Sequence, residues 1–591
     1  MTCLLRGMTL LLVTSTVVAC AAARDVEDSA ASAAGGAGVG GGSLDGVGGD
    51  QSGTCSPDLQ SIEDAEGNVI AVCPSDQGCY AGACIPACDA AEKSRGSIGC
   101  EFWAAVPPFN DNANPHGGGP CYAVFVANTW GRSAKITVER SGTSFDATQF
   151  GRIPKGVGPS TTYDPLPVDG LPPGEVAVLF LSQRPEAAFA CPVPPALLDD
   201  AEIHGSGVGQ AFRVRVDTPV TVYDIVPYGG AKSYLPSASL LFPATAWGTN
   251  YAAVAPHPDG SGALWVSIVG AVDGTHVSVL PSVTLPGGPD LADAVGGQPS
   301  EYALDAGQVL QWIGTDPAGT IFESDQPIGL FTGNTLLRVA TATSPEGGGK
   351  DSAHQQLTPV KALGSEYVGG GIATRLASLE PESVPYRLLG VVDGTELSWE
   401  PSVPAGAPQK LDAGTVAQFD TTTRFVVRSQ DDEHPFAITQ YMPGGNLVGS
   451  RPGCTAGSGP CALGDEEWVT LVPPAQFLRR YVFMADPSYG TTNLIVTRIR
   501  GQDGFADVDL DCLGAVTGWE AVGSSSMYES ATLELVFAGL PQGQCTSSRL
   551  EATSSGRFGI VVWGTDYYAS YGYPAGGNLA AINDVVVPVP K

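Results

Sequence analysis

Apolar and polar positions along the middle of this chain alternate in short runs. Trp265-Val-Ser-Ile-Val-Gly-Ala-Val is apolar and rich in β-branched residues, and His276-Val-Ser-Val-Leu alternates apolar with polar. Period-two alternation gives a strand one buried and one wet face. Asp273-Gly274-Thr275 lies between these runs. Asp-Gly supplies positive φ at both central turn positions, which predicts a tight hairpin. Leu304-Asp-Ala-Gly307 reads as a turn entering another strand that carries Val309, Leu310 and Trp312. Asp325-Gln-Pro327-Ile328 reads as the start of a further strand, where proline need not donate to the ladder. Short runs punctuated by Gly, Pro, Asp and Asn predict an all-β protein of tandem β units, sandwich-like, with a propeller-like ring as the alternative. Helical signals are scarce; the best is the short stretch Pro195-Ala-Leu-Leu-Asp-Asp-Ala-Glu202.

The runs return in order after about 110 residues. Leu241-Phe-Pro243-Ala-Thr-Ala-Trp-Gly248-Thr-Asn-Tyr251 returns as Leu357-Thr-Pro359-Val-Lys-Ala-Leu-Gly364-Ser-Glu-Tyr367. Asp273-Gly274-Thr275 returns as Asp393-Gly394-Thr395, Leu304-Asp-Ala-Gly307 as Leu411-Asp-Ala-Gly414, and the Pro327 phrase around Pro435. Weaker copies lie upstream, at Gly174 and Pro219, and downstream, from Leu471 to Tyr481, where Leu478 replaces the glycine. A fixed long period means duplicated folding units, and terminal copies drift. The expected organisation is a signal peptide (1–19), a lipidated cysteine and flexible tether (20–54), a small Cys-rich module (55–99) and four β repeats (100–233, 234–352, 353–462, 463–591).

Composition sharpens the picture. Of 591 residues, 77 are glycine and 47 proline, which fits a turn-dense β protein. The net charge of −32 argues against a nucleic-acid partner, and no cofactor is expected. Arg6 and the apolar stretch Met8–Ala19 form an export signal too short to span a bilayer, ending in Val17-Val18-Ala19-Cys20. That ending resembles a bacterial lipobox, so Cys20 is the expected lipidation site; an ordinary cleavage at the following Ala-Ala-Ala is the rival. Acyl chains there would anchor the protein in the cell envelope, at the outer membrane, since no aspartate follows Cys20. The Ala/Gly/Ser stretch after it cannot bury a core and reads as a flexible tether.

Cys3 leaves with the signal peptide. Twelve of the fourteen cysteines then remain as disulfide candidates. Cys55, Cys73, Cys79, Cys84, Cys88 and Cys100 are dense; Cys121, Cys191, Cys454, Cys461, Cys512 and Cys545 are sparse. Connectivity is open within the dense block. Locality suggests Cys121–Cys191, Cys454–Cys461 and Cys512–Cys545. The dense block holds no histidine and no paired C-x2-C spacing, so zinc is not expected there.

The six histidines (His116, His204, His257, His276, His354, His434) form no metal or nucleophile motif, and no catalytic residue is assigned. His204-Gly-Ser206-Gly reads as a plain loop. Asp507, Asp509 and Asp511 alternate on one strand face and read as a solvated face. Trp247, Trp265, Trp312, Tyr251 and Tyr367 read as core.

The Pro-x-x-x-Leu/Trp-Gly-Ser/Thr-x-Tyr phrase, the Asp-Gly-Thr turn and the Ser324-Asp-x-Pro-Ile phrase resemble the N-terminal domain family of the IgG Fc-binding protein. Myxobacterial-type lipoproteins carry such regions, with a Cys-rich prelude like Cys55 to Cys100 and a late Ser570-Tyr-Gly-Tyr-Pro. The resemblance covers about Cys55 to Pro590. It implies a non-enzymatic cell-surface protein that binds an extracellular protein or glycan, and it supplies no catalytic residues. The alternatives are an extracellular glycan hydrolase with carboxylates drawn from separate loops and a purely structural surface or matrix component.

Overall fold

A computed structural model describes residues 53–590, apart from 57, 66–67, 111–117, 158–160, 230, 232–234, 258–261, 345–348, 446–450 and 452–463. Ser52–Lys591 makes one unit. It is mostly β-strand, in curled sheets that form repeated sandwich-like modules, with few helices. The Cys-rich module has a three-stranded sheet, a two-stranded sheet and the helix Ala87–Ser94. Its disulfides are Cys55–Cys79, Cys73–Cys84 and Cys88–Cys100. Pro195 to Glu202, the expected helix, is irregular instead. The backbones of Ala196 and Leu197 donate to the carbonyls of Phe180 and Leu181, which ties this stretch to a strand.

The repeat phrases have matching geometry. Gly248 N–H donates to the Tyr251 hydroxyl, which donates to Ile328 O (2.9 and 2.8 Å). Gly364, Tyr367 and Phe436 repeat this at 2.9 and 2.9 Å. Leu478, Tyr481 and Phe558 repeat it at 2.9 and 2.6 Å. By strand register Phe102 holds the tyrosine's place in the first module and lacks the hydroxyl. The glycines also serve contact with the next copy. A Cβ on Gly248 would lie 2.5 Å from Pro359 Cβ, one on Gly364 2.5 Å from Pro473 Cβ, and one on Gly99 2.3 Å from Pro243 Cβ. Each of these three glycines therefore sits against the proline of the next phrase along the chain.

The Asp-Gly turns also match, but they are not hairpins. Asp273 Oδ1 accepts from Ala306 N and Asp305 Oδ1 accepts from Gly274 N (3.0 and 2.9 Å); Asp393, Ala413, Asp412 and Gly394 repeat both distances. Only the glycines have positive φ, 69° and 74°. The flanking strands Leu264–Gly270 and Thr275–Leu280 pair with different parts of one long strand, Ile321–Leu337, and not with each other. The carboxylate cross-bonds hold a turn that carries the chain from one half of the module to the other. Pro327, expected at a strand start, lies inside that long strand. It sits where the pairing with Gly248–Ala252 loses register, a break in the ladder that tolerates a missing donor.

Four short strands meet at a central hub: Ser237–Leu241, Asp351–Gln356, Glu467–Thr470 and Ala569–Pro574. Each pairs with the long or closing strand of its module, and the first three then lead into the phrases of Pro243, Pro359 and Pro473. The chain just after the last hub strand reaches back to the first module and to the Cys-rich module before it. Ser97 N donates to Gly577 O, Leu579 N to Arg95 O, and Tyr223 Oη to Ala575 O. The order of modules round the hub thereby closes on itself. The C-terminal stretch continues across the third and second modules. Asn583 donates to Val360 O and Leu363 O, and Asn250 exchanges two hydrogen bonds with Val587. Among the described residues no helix is long and apolar enough to cross a membrane.

Candidate functional site

Among the described residues, a groove of about 860 Å³ lies between the third and fourth modules. Its volume lies in the range of small-ligand sites. The third module contributes Gly370, Gly371, Thr374 and the end of the strand Val416–Thr421 with Thr422, Thr423 and Arg424. The fourth contributes Thr517, Glu520, Thr532 and Glu534. Apolar side chains such as Ile372, Leu379, Val384 and Leu533, and the charged Glu382 and Arg451, complete the lining, so threonine hydroxyls and glycines lie beside apolar and ionic patches. Arg424 spans the join. Its Nε donates to Gly370 O (3.0 Å), Nη1 to Glu520 (2.8 Å) and Ser530 O (3.2 Å), and Nη2 to Thr532 Oγ1 (2.9 Å). Arg451 pairs with Glu534 and lies over the Phe537 ring. Beside the groove, Glu400 accepts from Ser524 N, Ser525 N and Arg428. Burial opposes ionisation of Glu400, but the bonds from Ser525, Arg428 and Ser524 outweigh it and hold its pKa at about 2. The carboxylate is therefore a permanent clamp between the two modules.

A second concentration of polar groups is the hub, which is closed to solvent. The Gln355 amide lies within hydrogen-bond reach of Ala238 O (3.0 Å), Trp468 O (3.0 Å) and Gly572 O (3.3 Å), one carbonyl on each of the other hub strands. His354 Nε2 meets Asp224 Oδ1 at 2.9 Å, and the Tyr122 hydroxyl donates to Asp224 Oδ2 at 2.9 Å. Ser570 Oγ donates to Asp465 O, and Ser570 N donates to Asp351 Oδ2. Asp351, Asp465, Glu466 and Glu467 are all at most 1% exposed. One oxygen of Asp351 and one of Glu467 accept no hydrogen bond. Burial drives the carboxyls of Asp351, Asp465 and Glu467 well above the usual range, and for Asp351 the neighbouring Asp465 adds to it. Asp486, whose N–H donates to Tyr571 of the last hub strand, is pushed up by burial to about 6. None of these four lines the groove.

The sequence-predicted site residues separate into four sets. Cys20, Cys454, Cys461 and His116 lie outside the described residues. Cys121 is bonded to Cys191 and Cys512 to Cys545. Trp247, Trp265, Trp312, Tyr251 and Tyr367 are buried core residues. Asp507 and Asp509 face solvent, while Asp511 pairs with Arg549 at 2.5 Å. Sequence reading missed the groove, whose parts lie up to about 160 residues apart. It also missed the only set of three metal-donor side chains that converges among the described residues: Asp200, Glu202 and His204, each offering one atom within 4.8 Å of the others. Their alternate spacing was the available signal.

Fold and groove together define a multi-module β protein with an intermodule recess. Residues 237–564, more than half of the chain, match the IgGFc binding protein family, and the chain belongs to that family. No curated protein matches the chain at a significant level.

Proposed function

We propose that this is a non-enzymatic, lipid-tethered protein of the cell envelope, anchored at the outer membrane through Cys20. It binds an extracellular protein or glycan in the groove between the third and fourth modules. The observation that carries the reading is the groove's lining: threonine hydroxyls and glycines set among apolar side chains and paired ions, across a join held by Arg424. Its guanidinium is committed to four protein acceptors, so it fixes the recess rather than acting as a reactive group. The ions of the groove are already paired, Arg424 with Glu520 and Arg451 with Glu534, so a polar ligand can meet the threonine hydroxyls without stripping an unpartnered charge of water. Family membership supports binding as the mode of action.

The test is a glycan array together with pull-down from outer-membrane extracts, comparing wild type with Thr423→Trp and Thr517→Trp. Both threonines are exposed, so the substitutions fill the groove without touching a core. At least tenfold weaker binding is expected; undiminished binding by both variants rules the groove out. For the anchor, metabolic lipid labelling of wild type is expected to be lost in Cys20→Ala. Membrane retention of that unlabelled variant would count against the anchor.

A further inference from the structure

We propose that Asp200, Glu202 and His204 form a binding site for one divalent transition-metal ion. The set comprises two carboxylates and one imidazole, a donor mixture that suits Zn²⁺ or Mn²⁺ and that calcium, which takes only oxygen, does not need. Asp200 Oδ2 lies 3.0 Å from His204 Nε2, and Glu202 Oε1 lies 3.9 Å from His204 Nδ1. Two ligands of one zinc ion lie about 3.3–4.4 Å apart, given bond lengths near 2.0–2.2 Å. These two contacts use opposite nitrogens of one ring, so a shared ion requires the imidazole to turn, and that adjustment falls on the one group able to make it. The His204 side chain is 52% exposed, and a turn of its ring presents one nitrogen to an ion held by the two carboxylates.

The carboxylates are already aimed. Asp200 Oδ1 accepts from Glu202 N (3.1 Å), which turns Oδ2 towards the imidazole. Glu202 is only 4% exposed, and its Oε1 accepts from Phe109 N (2.7 Å). The backbone on both sides of His204 is fixed as well. The buried Gln311 donates to Ile203 O (2.9 Å) and Gly205 O (2.8 Å). Outer hydrogen bonds of this kind orient metal ligands and separate a built site from a chance cluster. The placement gives the ion a mechanical role. Immediately after His204 the chain enters the strand Gly207–Gln210, which leaves the first module to pair with Gln308–Ile313 of the second. Coordination at Asp200, Glu202 and His204 would pin that crossover.

The experiment titrates the whole untagged protein with Zn²⁺ by calorimetry, and with Co²⁺ by visible absorption. His204→Ala and Asp200→Asn are the test variants, and His276→Ala is a surface-histidine control. Expected are one equivalent bound, a visible Co²⁺ ligand-field band, and at least tenfold weaker binding in both test variants with the control unchanged. Slower amide exchange in Gly207–Gln210 on adding Zn²⁺ is expected as a readout independent of affinity. Absence of stoichiometric binding, or equal binding by wild type and His204→Ala, would overturn the site and reduce the trio to an imidazole bridging two acids. Equal competition by Ca²⁺ would overturn the assignment to a transition metal.

Discussion

The module interiors and the hub are both closed to water, yet they are built from opposite materials. The second module's interior is Ile268, Val277, Phe322 and Leu330, all fully buried. The third packs Tyr386, Phe419, Phe425 and Trp399 ring against ring. At the hub the corresponding positions are Ser237, His354, Gln355, Asp465 and Glu467. Apolar burial is non-directional and tolerates any arrangement that excludes water. Buried polar groups are acceptable only when their hydrogen bonds are made, so they select one arrangement. The modules gain stability from their cores, and the hub fixes their mutual orientation.

Breaking the hub at its centre should produce the largest effect. Gln355→Leu leaves Ala238 O, Trp468 O and Gly572 O without their amide. At roughly 1–3 kcal/mol for each unsatisfied buried group, the cost should reach about 3–6 kcal/mol. Leu330→Ala in the second module should cost about 2–5 kcal/mol through its cavity. Urea unfolding of both variants checks the pair; a Gln355→Leu cost below 1 kcal/mol would mean that apolar packing alone orients the modules.

The acids sharpen the contrast through pH. Asp486 titrates near 6 in the fold, against 3.8 for the ordinary group. A raised carboxyl pKa favours the fold fully below about pH 4, and that advantage is lost as pH rises through 6. The shift corresponds to roughly 3 kcal/mol. Asp486→Asn should therefore be more stable than wild type at pH 7.5 by up to that amount, and equal to it at pH 3. Thermal unfolding at the two pH values decides; a pH-independent difference would remove ionisation as the cause. Glu400 runs the opposite way. Its interaction is present above the ordinary carboxylate range and weakens only as pH falls towards 2.

The smallest expected effect tests the copies themselves. Tyr251→Phe, Tyr367→Phe and Tyr481→Phe each remove one hydroxyl that accepts from one backbone N–H and donates to one carbonyl. Each should cost about 1–2 kcal/mol, and the three should agree within about 0.5 kcal/mol. Unequal costs would show that the modules have diverged in packing despite their matched hydrogen bonds.

Local chemistry was legible in the chain. The glycines of Asp273-Gly274 and Asp393-Gly394 foretold the turns, because only that residue takes positive φ without strain. They did not reveal that the turn joins two halves of a module rather than adjacent strands. That depends on Ile321–Leu337 pairing with both flanking strands. Similarly Gly248 and Gly364 stood out only as shared positions of the repeated phrase, while their role against Pro359 and Pro473 needed the next module in place.

By itself the sequence determined the β class, the duplication and the turn positions, since alternation and φ preferences act over a few residues. Tertiary structure alone decided the hub, the closure of Ala569–Pro574 onto the first module and the groove around Arg424. Those features depend on which distant strands meet, and side-chain pattern along one strand carries no record of its partner's identity.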